Sequence, residues 1–186
     1  MNGRTYLFVP GNRPERFAKA LASGADAVVL DLEDAVAAEA KGAARDAIAS
    51  WAASVSAQDR ERVVVRVNDA VASGFADDLR LFAAIGLSSL MLPKAESPAQ
   101  LAAVRGALPD AQVLALIESA AGVAHVDAIA ASAGVVRLVF GTLDLALDLD
   151  LDIAEQADGL SHAASRLAIA LVQTGNRSAE NNGSAS

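Results

Sequence analysis

Eight side chains that could do chemistry lie within or shortly after the short apolar runs of this sequence. They are Asp31, Glu33, Asp34, Arg66, Asn68, Lys94, Glu118 and Asp144. Carboxyl ends of parallel strands meet at one edge of a sheet, so these side chains are expected to share one rim. Mg²⁺ is typically bound by one or two carboxylates, with water and substrate completing its shell. Glu118 and Asp144, from neighbouring runs, are therefore candidate metal ligands.

Arg66 is a further candidate functional residue, because it stands between Val65 and Val67 in an otherwise apolar run. A charge in such a place usually needs a partner. A guanidinium can hold a carboxylate by two parallel hydrogen bonds. Any single acid at a strand end can also be polar only because strand ends approach water. The amino ends of the runs are polar too, as at Asp26 and Arg62.

The elements that position these residues alternate along the chain. Six runs predict strands buried on both faces: Tyr6–Val9, Ala27–Leu30, Val63–Val67, Leu90–Leu92, Val113–Ile117 and Val135–Phe140. Between and after them lie helix candidates: Arg13–Ser23, Glu39–Ser54, Ser73–Ile85, a helix to Ala107 opened by the capping box Ser97-Pro98-Ala99-Gln100, Gly122–Ala133 and Gly159–Val172. The alternating acidic run Leu147–Asp152 predicts a solvated loop or strand-like edge.

Two α/β folds fit this alternation, a doubly wound sheet and part of an eight-fold βα barrel. Pro10–Pro14 follows the first strand where a dinucleotide-binding glycine motif would stand, which disfavours the first fold. A full barrel needs ~250 residues, and this chain of 186 supplies about six units.

Composition narrows the classes of partner. The chain has 15 Lys and Arg against 23 Asp and Glu, for a net charge of −8, which argues against nucleic acid as a partner. It has no Cys, which excludes disulfides and thiolate metal sites. No apolar run approaches the ~20 residues that span a bilayer. We therefore expect a cytoplasmic protein that does not bind membranes.

Six segments resemble, in order and spacing, the citrate lyase beta-subunit family of the wider HpcH/HpaI aldolase group. They are Arg4–Phe17, Gly24–Val36, Val65–Asn68, Met91–Ser97, Leu116–Ser119 and Phe140–Asp144. The resemblance covers about residues 4–172. It implies an α/β fold of the TIM (βα)8-barrel type. It also implies a Mg²⁺-dependent lyase that cleaves a 3-hydroxyacyl-CoA of the citryl or malyl type into an acyl-CoA and a 2-oxo acid.

The resemblance also assigns roles to residues. Glu118 and Asp144 match the metal ligands, Arg66 the residue that binds a substrate carboxylate, and Glu33 and Asp34 an acidic pair near the metal. Arg66, Glu33 and Asp34 are thus the catalytic candidates. The substrate-binding candidates are Arg66, Glu118, Asn68 and Arg13, the last in the loop expected to approach the CoA thioester.

The end of the chain departs from the family pattern. We expect a truncated barrel domain at residues 1–172 and a disordered polar tail at 173–186, with no seventh or eighth strand. An open edge would then be covered by a homo-oligomer or by a partner that completes the barrel. Three alternatives remain: a 2-oxo-acid aldolase without CoA, an aldolase with Lys94 as a Schiff-base residue, and a non-catalytic family member.

Overall fold

The computed structural model of the chain describes residues 4–152 and 157–174. Its framework is one parallel sheet whose strands follow each other in chain order. The strands β1 to β6 are Tyr6–Pro10, Ala27–Asp31, Val63–Arg66, Ser89–Leu92, Gln112–Ile117 and Val135–Phe140. Each connection between them contains helix, as parallel pairing requires. The predicted order of six βα units is confirmed.

The four inner strands, β2 to β5, are buried on both faces, as predicted. The prediction was wrong for the outer strand β1, which leaves Leu7 and Phe8 exposed because it has a neighbour on one side only among the described residues. Side chains of one set, including Val29, Val64 and Met91, form an inner cluster within the curve of the sheet. Their neighbours in sequence, such as Val28 and Val65, face the helices in the larger outer cluster. The alternation follows from the two-residue period of a strand. An inner cluster enclosed by a curved sheet is typical of a barrel.

Helices cover the outer face. The α-helices α1 to α9 of the described residues are Phe17–Leu21, Lys41–Ala52, Ala57–Arg60, Phe75–Ile85, Pro98–Ala107, Ala120–Ala124, Val126–Ala130, Thr142–Asp148 and Ser161–Gln173. Short 3-10 segments precede three of them, at Pro14–Arg16, Ala38–Ala40 and Ala157–Leu160. The predicted capping box opens α5, where Ser97 and Gln100 exchange hydrogen bonds with each other's backbone.

Two predicted segments differ in detail from the structure. Residues 122–133 form no single helix, because the segment divides at His125 into α6 and α7. The run Leu147–Asp152 is not a strand-like edge: Leu147 and Asp148 complete α8, and residues 149–152 form a mostly exposed turn and loop, which agrees with the other alternative, a solvated loop. That helix buries Leu145 and Ala146 and leaves Leu143 and Leu147 exposed, so its buried side follows a helical period that the local alternation concealed.

The sheet is not closed within the described residues. There, β1 pairs only with β2, and β6 pairs only with β5. The sheet nevertheless curves far enough for the two outer strands to approach, since the Arg137 guanidinium of β6 lies 6.0 Å from the centre of the Tyr6 ring of β1. This arrangement confirms the prediction of an incomplete βα barrel.

Two further expectations concern the C-terminal tail and membrane-spanning helices. The predicted polar tail lies outside the described residues from position 175 onward, while α9 continues through Gln173. None of the helices in the two described ranges is both long and apolar enough to cross a membrane.

Candidate active site

The site begins with an ion pair between neighbouring strands. Asp31 and Arg66 are directly paired in the register of β2 and β3. Arg66 donates from Nε to Asp31 Oδ1 at 2.7 Å and from Nη2 to Asp31 Oδ2 at 2.6 Å. The Asp31 carboxylate also accepts from the backbone N–H groups of Glu33 and Ala35. Asp31 therefore fixes the plane of the guanidinium and the loop that carries the next two acids.

The remaining nitrogen of Arg66 faces that loop. Its Nη1 lies 2.9 Å from Glu33 Oε2 and 3.5 Å from Asp34 Oδ2. Burial alone lowers the pKa of Arg66, but the hydrogen bonds and charge of Asp31, with the charges of Glu33 and Asp34, raise it above its usual value. The guanidinium also lies over the Phe8 ring, 5.3 Å from its centre. Arg66 is thus a permanently charged group at the rim.

Glu33 links Arg66 to the end of β4. Its Oε1 lies 3.5 Å from Lys94 Nζ. Neither carboxylate oxygen is exposed, and neither accepts a hydrogen bond from the described residues. Burial raises the pKa of Glu33 to about 7, although the charges of Arg66 and Lys94 oppose the rise. Glu33 is therefore a buried acid held by two cations rather than by hydrogen bonds.

Lys94 continues the series of contacts through its backbone. It has a φ of 46°, in the left-handed region that few residues other than glycine adopt. Its N–H donates to Glu118 Oε1 at 2.8 Å. The Lys94 side chain is 46% exposed, so its ammonium group reaches the solvent while its backbone holds a buried acid.

Glu118 directly follows β5, and Asp144 lies in the first turn of α8, the helix that follows β6. Glu118 is only 4% exposed. Burial is the main cause that raises the pKa of Glu118 to about 7; the hydrogen bond from the Lys94 N–H opposes the rise, and the negative charges of Glu33 and Asp144 reinforce it. Glycine at position 141 lets the backbone after β6 pack against Glu118, because a Cβ there would lie 2.6 Å from Glu118 Cβ and 2.9 Å from Glu118 Oε2.

The rim has more carboxylates than cations. Contacts and electrostatic interactions join seven charged residues in series from β2 to α8: Asp31, Glu33, Asp34, Arg66, Lys94, Glu118 and Asp144. Five are acids and two are bases. Glu118 and Asp144 interact with each other at the end of the series, where a divalent cation would relieve their repulsion. No group of three or more His, Cys, Asp or Glu side chains in the described residues could hold a metal ion, so a cation here would need ligands from water or substrate, as Mg²⁺ commonly does.

The two other predicted substrate-binding residues lie apart from this series. Asn68 is buried, and its Nδ2 donates to Asp78 Oδ2 at 2.6 Å while its Oδ1 accepts from Lys41. Arg13 is half exposed in the loop after β1, where its Nε lies 3.4 Å from Glu15 Oε1. Among the described residues, no hydrogen bond or ion pair joins either side chain to Arg66 or Glu118.

Sequence reasoning did not assign a role to Asp31. The available signal was its place at the end of the strand that precedes Arg66. An arginine in an apolar strand needs a partner, and an acid at the end of the adjacent strand is the nearest candidate. The register that brings the two side chains together depends on how the strands pair.

Known proteins share both the sequence and the fold. A family profile described as HpcH/HpaI aldolase/citrate lyase matches residues 4–178. A citrate lyase subunit beta-like protein of Mycobacterium tuberculosis is 41% identical over 164 residues, which are 88% of this chain and 56% of that protein. A (3S)-malyl-CoA thioesterase of Cereibacter sphaeroides is 35% identical over 146 residues, which are 78% of this chain and 51% of that protein. The chain thus spans about half the length of these relatives.

Solved structures agree. The citrate lyase beta subunit of M. tuberculosis, complexed with oxaloacetate and magnesium, matches with a TM-score of 0.80 and 39% identity, over 93% of this chain and 75% of that one. The protein CitE of M. tuberculosis, in complex with magnesium, acetoacetate and coenzyme A, matches with a TM-score of 0.79 and 38% identity, over 94% of this chain and 64% of that one. With these matches the resemblance of the sequence motifs is confirmed, and the chain belongs to the HpcH/HpaI aldolase/citrate lyase family.

Proposed function

We propose that the chain provides the metal and carboxylate-binding groups of a Mg²⁺-dependent carbon–carbon lyase, with Glu118 and Asp144 as the ligands from the protein. The observation that carries the proposal is the approach of a buried carboxylate to a second acid at one end of the charged rim. Two carboxylates leave most of the octahedral shell of Mg²⁺ to water and to an oxygen-rich substrate.

The proposed substrate is a 3-hydroxyacyl-CoA of the citryl or malyl type. Its retro-Claisen cleavage breaks the bond between the hydroxyl-bearing carbon and the carbon next to the thioester. The products are a 2-oxo acid and a thioester enolate that must then gain a proton. Bound Mg²⁺ would act as a Lewis acid that lowers the pKa of the substrate hydroxyl and stabilises the charge that develops on it.

Arg66 is the proposed group for the substrate carboxylate. Asp31 occupies its Nε and one position of Nη2, which leaves the Nη1 side for a second anion. Asp34 is the most replaceable neighbour there, because its side chain is 61% exposed and lies 3.5 Å away. A carboxylate that took its place would be fixed in orientation by the rigid guanidinium.

Glu33 and Lys94 are proposed to support these groups. The oxygens of Glu33 are covered, so in this conformation Glu33 acts on the substrate through Arg66 and Lys94 rather than by direct contact. The half-exposed ammonium of Lys94 adds a second positive charge for an anionic substrate. Asn68, bound to Asp78 and Lys41, is proposed to hold the loop after β3 that follows Arg66.

The named relatives support this proposal. Two solved relatives hold magnesium, one with oxaloacetate and one with acetoacetate and coenzyme A. Oxaloacetate is a 2-oxo acid of the kind that cleavage of citryl-CoA would release. Since the chain spans about half of its curated relatives, the activity and the substrate are proposed for the chain as it stands.

A cleavage assay tests the function. The purified chain is given a panel of 3-hydroxyacyl-CoA esters with Mg²⁺ or with EDTA, and both acyl-CoA and 2-oxo acid are measured. We expect the two products in equal amounts, only with Mg²⁺, and their loss in Arg66→Ala but not in Asp46→Asn, which removes an exposed acid of α2. Equal rates with EDTA would contradict the metal-dependent mechanism.

The same assay separates the other functions. Thioester hydrolysis is a second candidate, because one relative is named a (3S)-malyl-CoA thioesterase. Hydrolysis would release free CoA and an intact hydroxy acid, whereas cleavage would release acyl-CoA. Cleavage of the free hydroxy acid at the same rate as its CoA ester would indicate an aldolase that does not need CoA. Binding of Mg²⁺ and substrate without any product would indicate a non-catalytic family member.

A further inference from the structure

The loop between β4 and α5 is held in a conformation that its sequence does not favour. Lys94 has a φ of 46°, and the only other residue besides glycine with a positive φ in the described ranges is Asp150. A lysine has no side-chain group that compensates for this strain locally, unlike Asn or Asp. The surrounding contacts must therefore hold Lys94 in place.

Gln100 makes those contacts with both ends of its side-chain amide. Its Oε1 accepts from the N–H groups of Glu96 at 2.7 Å and Ser97 at 2.9 Å. Its Nε2 donates to the carbonyl oxygen of Lys94 at 3.0 Å. The oxygen thus completes the capping box of α5, and the nitrogen fixes the peptide group that follows Lys94.

The other peptide group of Lys94 holds Glu118. The Lys94 N–H donates to Glu118 Oε1 at 2.8 Å, while Glu118 Oε2 lies on the side of Gly141. A change in the backbone angles of Lys94 would turn this N–H away. Glu118 would then lose the hydrogen bond that holds its Oε1 and leaves its Oε2 for other contacts.

We infer that Gln100 is a positioning residue for the metal site, because it holds Lys94 in the left-handed conformation that directs the Lys94 N–H to Glu118. The inference rests on the proposed role of Glu118 as a metal ligand. It gives Gln100 a role in cation binding although Gln100 contacts neither Glu118 nor Asp144. Groups that orient a ligand in this way commonly tune metal affinity.

Gln100→Glu is the most selective variant. It keeps an oxygen for the N–H groups of Glu96 and Ser97, and Glu suits the third position of a capping box. It replaces the donor to Lys94 by an oxygen that repels the Lys94 carbonyl. Ala99→Glu is the matched control, because it adds the same charge to an exposed neighbouring position of α5 and leaves the loop contacts intact.

Titration calorimetry with Mg²⁺ gives the first readout. We expect Gln100→Glu to bind Mg²⁺ roughly ten-fold more weakly while it still unfolds in a single cooperative transition. Ala99→Glu should bind at least as tightly as the wild type, since a nearby negative charge favours a cation. Equal Mg²⁺ affinity in Gln100→Glu and the wild type would overturn the inference.

Lys94→Gly tests whether the effect passes through the Lys94 backbone. Glycine adopts a positive φ without strain and keeps the N–H, so Lys94→Gly should bind Mg²⁺ no more weakly than the wild type. Gln100→Glu should then cost less affinity in the Lys94→Gly background than alone. An equal cost in both backgrounds would contradict the proposed route.

The Lys94 amide in the metal-free protein gives a readout that does not depend on metal binding. Its exchange with solvent should be slow in the wild type and in Ala99→Glu, and faster in Gln100→Glu. A wild type with a protected Lys94 amide but no Mg²⁺ binding would overturn the proposed metal site and keep the role of Gln100 in the loop. An amide equally protected in Gln100→Glu would overturn that role.

Discussion

Gly141→Ala should disrupt the proposed metal site, because it adds a single methyl group next to Glu118. Gly141 precedes α8 with a φ of −89°, which alanine adopts freely, so the substitution causes no backbone strain. The new Cβ would lie 2.6 Å from Glu118 Cβ, 2.9 Å from Glu118 Oε2 and 3.4 Å from Leu116 Cδ1. Carbon atoms in contact prefer ~3.5–4.0 Å, so the two strand ends must separate by about 1 Å.

Rotation of the Glu118 side chain cannot remove this clash. Its Cβ position is set by the backbone of β5, and only the Oε2 contact is relieved by a new rotamer. The end of β6 must therefore move, and Asp144 moves with it. We expect Mg²⁺ affinity to fall by roughly 10- to 100-fold, the range seen when the surroundings of a metal ligand are changed. Overpacking should also lower the free energy of unfolding by about 1–3 kcal/mol.

Titration calorimetry and thermal unfolding measure the two effects. Gly106→Ala is the matched control, because Gly106 lies inside α5 and a Cβ there meets no atom within 4 Å. It should leave Mg²⁺ affinity unchanged and stabilise the helix by about 0.5–1 kcal/mol. A folded Gly141→Ala protein that binds Mg²⁺ as tightly as the wild type would refute the assignment of Glu118 and Asp144 as a closely spaced ligand pair.

Three further predictions concern charge, pH and the open sheet. Arg66→Lys keeps the charge but loses the planar group that Asp31 orients, so oxaloacetate should bind several-fold more weakly in calorimetry, whereas equal affinity would make Arg66 a structural ion pair. Burial raises the pKa of Glu33 from 4.5 to about 7, so its contribution to metal-free stability is present below pH 4.5 and is lost as the pH rises through 7. Glu33→Gln should therefore gain stability relative to the wild type over that interval in urea unfolding, and a constant difference would contradict the pKa shift. The outer strands β1 and β6 each have one neighbour among the described residues, so their amides that face away from that neighbour should exchange quickly in a dilute monomer. Strong protection of those amides in a monomer proven by light scattering would show that other residues cover them.

Much of the fold follows from the sequence because its inner strands, β2 to β5, are buried on both faces. Runs such as Val113–Ile117 contain enough consecutive apolar residues to predict a strand without knowledge of the neighbours. The helices after them were harder to predict where short elements meet. In α8 the alternation of leucine and aspartate suggests a strand, and only packing of Leu145 and Ala146 shows which side is buried.

The site was partly predictable from the order of the strands. Strand order places the acids and Arg66 on one rim, so their types and positions suffice to suggest a site. The partner of Arg66 depends on the register that pairs it with Asp31. The orientation of Glu118 depends on the backbone of Lys94 and on the missing side chain of Gly141. Neither backbone geometry nor close approach is visible in a pattern of residue types.

The most direct test of the account is calorimetric titration of Mg²⁺ into the wild type and two neutral variants, Glu118→Gln and Asp144→Asn. Each variant removes one charge from the pair and keeps the shape of the side chain. We expect each to weaken Mg²⁺ binding by at least about ten-fold with an unchanged melting temperature, and the exposed control Asp46→Asn to bind like the wild type. Wild-type affinity in both Glu118→Gln and Asp144→Asn would contradict the proposed metal site.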